Sequence, residues 1–266
     1  MKLTMLGTGN AVATECYNTC FVLQEKDSYL LVDGGGGNGI LKQLKRAGIN
    51  WKDVKNIFLT HKHMDHLFGI TWMIRLITQS MQKNEYNGDV KIYVHADLVD
   101  TLKDLANVLL SSKHSCYVGD RVQLIAVNDG EELEIIDHKV TFFDLNSAKV
   151  KQYGFFIMLN DDDKLICFGD ESYNENLEKY AKDCKWMMHE AFCLHSDIEK
   201  YNPYRIQHST VKDACENAEK LNAKNLIIYH TEDDNLDRRK KLYTAEGKQY
   251  FSGNIFVPDD LESIEV

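Results

Sequence analysis

The sequence predicts a layered α/β protein built on two β-sheets. Three observations carry this expectation. Apolar runs rich in Val, Ile, Leu and Phe recur along the 266 residues, and most are of strand length, about 5–6 residues. Segments with helical spacing lie between them. A cluster of strands followed by interspersed helices occurs twice, which fits two sheets better than one alternating βαβ wheel. With only two prolines, Pro203 and Pro258, no linker and no repeat, residues 1–266 are expected to form a single domain.

Each element has its own signal. "KLTMLG" reads as a strand ending in the turn Gly7-Thr8-Gly9, and "TCFVLQE" and "SYLLVDGG" as two more around turn residues Lys26–Asp27. "GNGILKQLKRAGI" has Ile40, Leu41, Leu44 and Ala47 at helical spacing, then Gly48 as a stop. "VKNIFLTH" is a buried strand, and a helix follows from Gly69 to about Gln82. "DVKIYVH", "VQLIAV", "HKVTFFDL", "YGFFIML", "KLICFGD", "WMMHEAF" and "NLIIYH" read as further strands. "ADLVDTLKDLANVLLSS", "NENLEKYAKD" and "TVKDACENAEKL" read as helices. The stripe Trp72, Met73, Leu76 and Ile77 is assigned to the core.

Composition narrows the function. Hydrophobic residues make up 44% and the formal net charge is −10, so disorder is not expected and the long-range field repels phosphate backbones. A local metal site can still override that field. The seven cysteines are scattered without a Cys-x-x-Cys pair, which suits reduced thiols in the cytoplasm. "MKLTMLGTGNAVATE" lacks the apolar stretch of a signal peptide, and no run is long enough to span a membrane.

The chemistry concentrates in "THKHMDH". His61 and His63 are two apart and face one way on an extended chain, and Asp65 and His66 follow as the chain turns into a helix. Imidazole and carboxylate without thiolate suit zinc, manganese or iron in a catalytic rather than a structural site. Two more polar residues stand directly after apolar runs: Asp170 ends "LICFGD" and His230 ends "NLIIYH". A site at the carboxyl edges of strands requires this placement.

Together with "LGTGNA", "LLVDGGGG", "HEAF" and "HSTVKDACENA", these motifs resemble the metallo-β-lactamase superfamily and, within it, the RNase Z-like branch of tRNA 3′-end endonucleases. The likeness runs over most of the chain. It implies a four-layer αββα sandwich of two mixed sheets flanked by helices. It also implies a pair of divalent ions, zinc foremost, that activate water for attack at phosphorus. The resemblance places His61 and His63 on the first metal, Asp65, His66 and His230 on the second, and Asp170 across both. It makes His208 of "HST" the proton donor, oriented by Glu190 of "HEA", and gives Asp65 a further role in positioning the attacking water. A homodimer is compatible with it.

Two departures qualify the likeness. The family has a further His on the first metal before a Tyr-Gly motif. In "FFDLNSAKVKQYGFF" the corresponding residue is Asn146, a weak candidate ligand because an amide oxygen binds transition metals poorly. A weaker first site is therefore expected, with His138 and His189 as possible substitutes. RNase Z also carries a long arm that grips tRNA, whereas only "FFIMLNDDDKLICF" lies between Gly154 and Gly169, with an acidic tip at Asp161–Asp163. The basic stretches Lys179, Lys182 and Lys185, and "DRRKK" at 237–241, are assigned to solvated helix surface. The expected substrate is thus a small molecule or short nucleic acid with a phosphodiester, and tRNA is doubtful. The alternatives are a carboxylic ester or thioester hydrolase, or a ligand-binding relative without turnover. The glycines at 34–37 are expected to permit close backbone approach beneath the metals.

Overall fold

The computed structural model describes residues 1–266. In chain order the strands are β1 (Lys2–Gly7), β2 (Cys20–Glu25), β3 (Ser28–Val32), β4 (Asn56–Phe58), β5 (Val90–His95), β6 (Val122–Val127) and β7 (Glu132–Ile135). They continue with β8 (His138–Asp144), β9 (Tyr153–Met158), β10 (Lys164–Cys167), β11 (Trp186–Glu190), β12 (Asn225–Tyr229), β13 (Asn254–Phe256) and β14 (Ser263–Glu265). Two seven-stranded sheets result, ordered β14-β1-β2-β3-β4-β5-β6 and β13-β12-β11-β10-β9-β8-β7. Both follow one plan. β1–β3 and β7–β10 pair antiparallel, and β3–β6 and β10–β13 pair parallel.

Period-two alternation decides which side each residue faces. Leu3, Met5, Phe21, Leu23, Leu30 and Val32 of the first sheet meet Phe142, Phe155, Ile157, Leu165, Met188 and Tyr229 of the second in one buried cluster between the sheets. The intervening residues face outward under helices. Leu6, Val22, Leu31 and Ile57 pack beneath α1 (Gly39–Arg46), α2 (Met64–Gln82) and α3 (Ala96–Leu109). Ile166, Met187, Leu226 and Ile228 pack beneath α4 (Val211–Lys220) and α5 (Arg239–Gly247). The order is helices, sheet, sheet, helices, which is the αββα sandwich. Both faces of the central strands are covered, so they read as continuous apolar runs.

Several local expectations need correction. α2 begins at Met64, not Gly69, so Asp65 and His66 lie on its first turn. β4 has only three residues: Leu59 N still donates to the Tyr93 carbonyl at 3.1 Å, and the chain then departs through Thr60 and His61 to the site. "NENLEKYAKD" forms only a short 3₁₀ turn and one α-turn, Glu178–Ala181. Trp72 is 39% exposed, unlike Met73 and Ile77 of the same stripe. Arg239 is not solvated surface: it is buried, and its guanidinium donates to Thr8, Thr231, the Pro258 carbonyl and Asp259. No helix is long and apolar enough to cross a membrane.

Candidate metal centre

The site forms where strands of both sheets end at their carboxyl edges. β3 runs out into Asp33, β4 into Thr60 and His61, β10 into Asp170, β11 at Glu190 and β12 into His230. Asp33, Gly169 and His230 all take left-handed backbone conformations, φ +58°, +61° and +59°. This turns each chain sharply at the end of its strand, and a non-glycine there costs stability that the surroundings must offset.

Five side chains converge. Asp65 Oδ2 lies 3.3 Å from His66 Nε2 and 3.6 Å from His230 Nε2. Asp170 Oδ2 is 3.6 Å from His61 Nε2 and 3.9 Å from both His66 Nε2 and His230 Nε2. These spacings suit ligand atoms around one cation. His66 Nε2, His230 Nε2 and Asp170 Oδ1 are buried and have no hydrogen-bond partner in the protein. Orphaned donors and acceptors of this kind are costly, and a divalent cation would satisfy all three. The second position therefore fits a metal, with Asp65, His66, Asp170 and His230 to hold it.

Electrostatics agree. Burial pushes the Asp65 carboxyl up, but the imidazoles of His66 and His230 outweigh it and hold it well below the usual range. Asp170 is likewise raised by burial and then lowered further by His61, His66, His230 and Lys149. Both therefore offer carboxylates. Burial disfavours protonation of His61 and leaves its imidazole neutral.

Asp33, the acidic residue of "LLVDGGGG", supports the site from behind the ligands' positions. Its Oδ2 accepts from His66 Nδ1 at 2.7 Å and from Thr60 Oγ1 at 2.8 Å, while Oδ1 accepts from Thr60 N at 2.8 Å. It thus fixes the ring so that Nε2 faces the site. The Gly34 backbone lies against α2: a Cβ on Gly34 would meet Ile70 N at 2.4 Å, and one on Gly69 would meet Gly34 O at 1.7 Å. This close approach brings Asp33 to His66 and answers to the glycine run.

The first position is less complete. His61 Nε2 and His63 Nδ1 are 2.9 Å apart, so they point together. Asn146 is exposed, left-handed at φ +52°, and its amide donates to the Asp144 carbonyl at 3.3 Å. His138 Nδ1 bonds the Met158 carbonyl and its Nε2 faces Glu25, far along β8 from the strand ends. His189 Nδ1 bonds the Glu190 carbonyl and its Nε2 accepts from Tyr173 N. Both serve the scaffold.

His208 stands beside the cluster. Its ring centroid is 5.0 Å from that of His230, it stacks on Phe192, and Nδ1 is 3.5 Å from Glu190 Oε2. Glu190 is fully buried and anchored by Ser209, whose N–H and hydroxyl both donate to Oε1 at 2.6 Å. The separation from His208 exceeds a formed hydrogen bond, as is common before substrate binds.

The αββα sandwich and the His-x-His-x-Asp-His turn at its strand ends define a metallo-β-lactamase superfamily protein of the RNase Z-like branch. The chain is 22% identical over 317 residues to a ribonuclease Z of Archaeoglobus fulgidus, covering 100% of this chain and 97% of that one. Among solved structures it is similar to the metallo-β-lactamase fold protein YhfI of Bacillus subtilis, with a TM-score of 0.79, 19% identity and coverage of 100% and 99%. It is also similar to zinc-bound PqqB of Methylobacterium extorquens, with a TM-score of 0.75, 11% identity and 100% of each chain covered. More narrowly, the chain belongs to the family described as anti-Pycsar protein Apyc1, whose model matches residues 1–251.

Proposed function

We propose that this protein is a metal-dependent phosphodiester hydrolase acting on a small molecule or short nucleic acid, and that this activity underlies the anti-Pycsar role in its family's name. The observation that carries the reading is the convergence of orphaned Asp170, His66 and His230 atoms beside His208. A divalent cation held by Asp65, His66, Asp170 and His230 supplies Lewis-acid charge and lowers the pKa of water. Asp65, kept ionised, can orient the attacking water. Glu190 faces Nδ1 of His208 and can orient the ring, so that a doubly protonated His208 can give its Nε2 proton to the departing alkoxide. Similarity to ribonuclease Z supports attack at phosphorus. The short β9–β10 hairpin offers no arm for tRNA, and its tip residue Asp163 pairs with Lys185 at 2.8 Å.

The test is release of nitrophenol from bis(p-nitrophenyl) phosphate by protein loaded with zinc or manganese. Turnover that disappears in Asp170→Ala supports the reading. Hydrolysis of thioesters or carboxylic esters alone replaces it with the acyl-hydrolase alternative, and ligand binding without hydrolysis replaces it with a binding protein.

A further inference from the structure

Lys149 lies three residues beyond Asn146, and its ammonium lies beside Asp170, at the edge of the centre. Nζ donates to the Asp170 main-chain carbonyl at 3.3 Å. The side chain is half-buried and makes no ion pair with a carboxylate. Its neighbour Lys151, by contrast, pairs with Asp97 at 3.5 Å.

The loop is built to hold this position. Ser147 Oγ donates to Glu171 Oε2 at 2.5 Å, Gln152 Nε2 donates to the same oxygen at 2.7 Å, and Lys149 N donates to Ser147 Oγ at 3.2 Å. Glu171 directly follows Asp170, so the loop is fastened to the strand end that carries a central carboxylate.

A phosphodiester presents two non-bridging oxygens that share one negative charge. A cation held by Asp65, His66, Asp170 and His230 can neutralise one. We propose that Lys149 binds the other, as a substrate-anion-binding residue that supplies positive charge beside Asp170. A flexible stem carrying a point charge suits this task. The inference rests on the phosphodiester reading for its substrate class, but not for its test.

The test uses the zinc-loaded full chain with Lys149→Met and Lys149→Arg, titrated calorimetrically with inorganic phosphate, with zinc content measured in each. Lys149→Met is expected to weaken phosphate binding about 10- to 100-fold, as loss of a hydrogen bond to a charged group would. Lys149→Arg is expected to recover most of it, with zinc content equal in all three. Diester kinetics should show the loss in KM more than in kcat, and the diester-to-neutral-ester ratio of kcat/KM should fall in Lys149→Met. Phosphate affinity unchanged in Lys149→Met, absent from the wild type, or lost only together with zinc would overturn the role. A wild type that binds phosphate through Lys149 but hydrolyses no diester would refute the phosphodiesterase reading alone.

Discussion

Replacing Asp33 by Asn separates the orientation of a proposed metal-binding histidine, His66, from the integrity of the fold. Asp33→Ala would strand His66 Nδ1 and Thr60 N, which donate to the carboxylate, and leave Thr60 Oγ1 with His61 Nδ1 alone. At about 1–3 kcal/mol for each buried orphan, plus about 1–2 kcal/mol for a left-handed alanine at φ +58°, the cost rivals the stability of a whole domain, about 5–15 kcal/mol. Asn tolerates the left-handed backbone and keeps an acceptor for Thr60. What it removes is the charge and the second acceptor, so an amide N–H can face His66 Nδ1–H. Losing such an outer partner weakens metal binding by about 10- to 100-fold, or about 1.4–2.8 kcal/mol. Competition with a chromophoric zinc chelator measures this on metal-stripped protein, while thermal unfolding monitors the fold. An Asp33→Asn affinity within twofold of wild type would refute the claim that this carboxylate sets the His66 ring.

Other perturbations give distinct outcomes. His66→Ala should abolish zinc uptake and turnover together, read by metal analysis and nitrophenol release. His208→Ala should keep zinc but slow diester hydrolysis by about 10²–10⁴-fold, the range for a lost general acid; unchanged turnover would remove that role. Gly69→Ala drives a Cβ into the Gly34 carbonyl and should cost at least about 1–3 kcal/mol in a melting curve, whereas Gly37→Ala, which meets nothing within 4 Å, should not. Glu190 is pushed up by burial but held below its ordinary value overall by His208, His189 and Ser209. A depressed carboxyl contributes stability above its unfolded pKa and loses it as pH falls through the folded one. The stability difference between wild type and Glu190→Gln should therefore be full at neutral pH and shrink in acid; a constant difference would contradict it.

Among the candidate ligands, Asp170 and His230 are legible because each closes an apolar run, a placement that strand-end geometry imposes, and His61, His63, Asp65 and His66 because they crowd one turn. Asp33 obeys the same rule, yet Asp before Gly is also ordinary turn chemistry, so sequence alone gave it no role. The start of α2 was misread because its first turn carries ligands instead of an apolar stripe, and periodicity begins only at Leu67. β13 and β14 have three residues each, too few to show a pattern. Arg239 gave no local sign of burial because its partners include Thr8, 231 positions away. Lys149 was equally silent: its position comes from a loop fastened through Glu171, a contact between segments that spacing cannot reveal.

The candidate ligands divide between the two sheets. His61, His63, Asp65 and His66 follow β4, while Asp170 and His230 follow β10 and β12, with the 128–131 connection between the halves. Severing the polypeptide in that connection would leave two fragments, each with an incomplete chelating set. A cation would then favour their reassociation, since it binds the joined form and stabilises it by mass action. The same ion that primes chemistry would serve as a cross-brace between halves, and chelators should loosen that seam before they unravel either half.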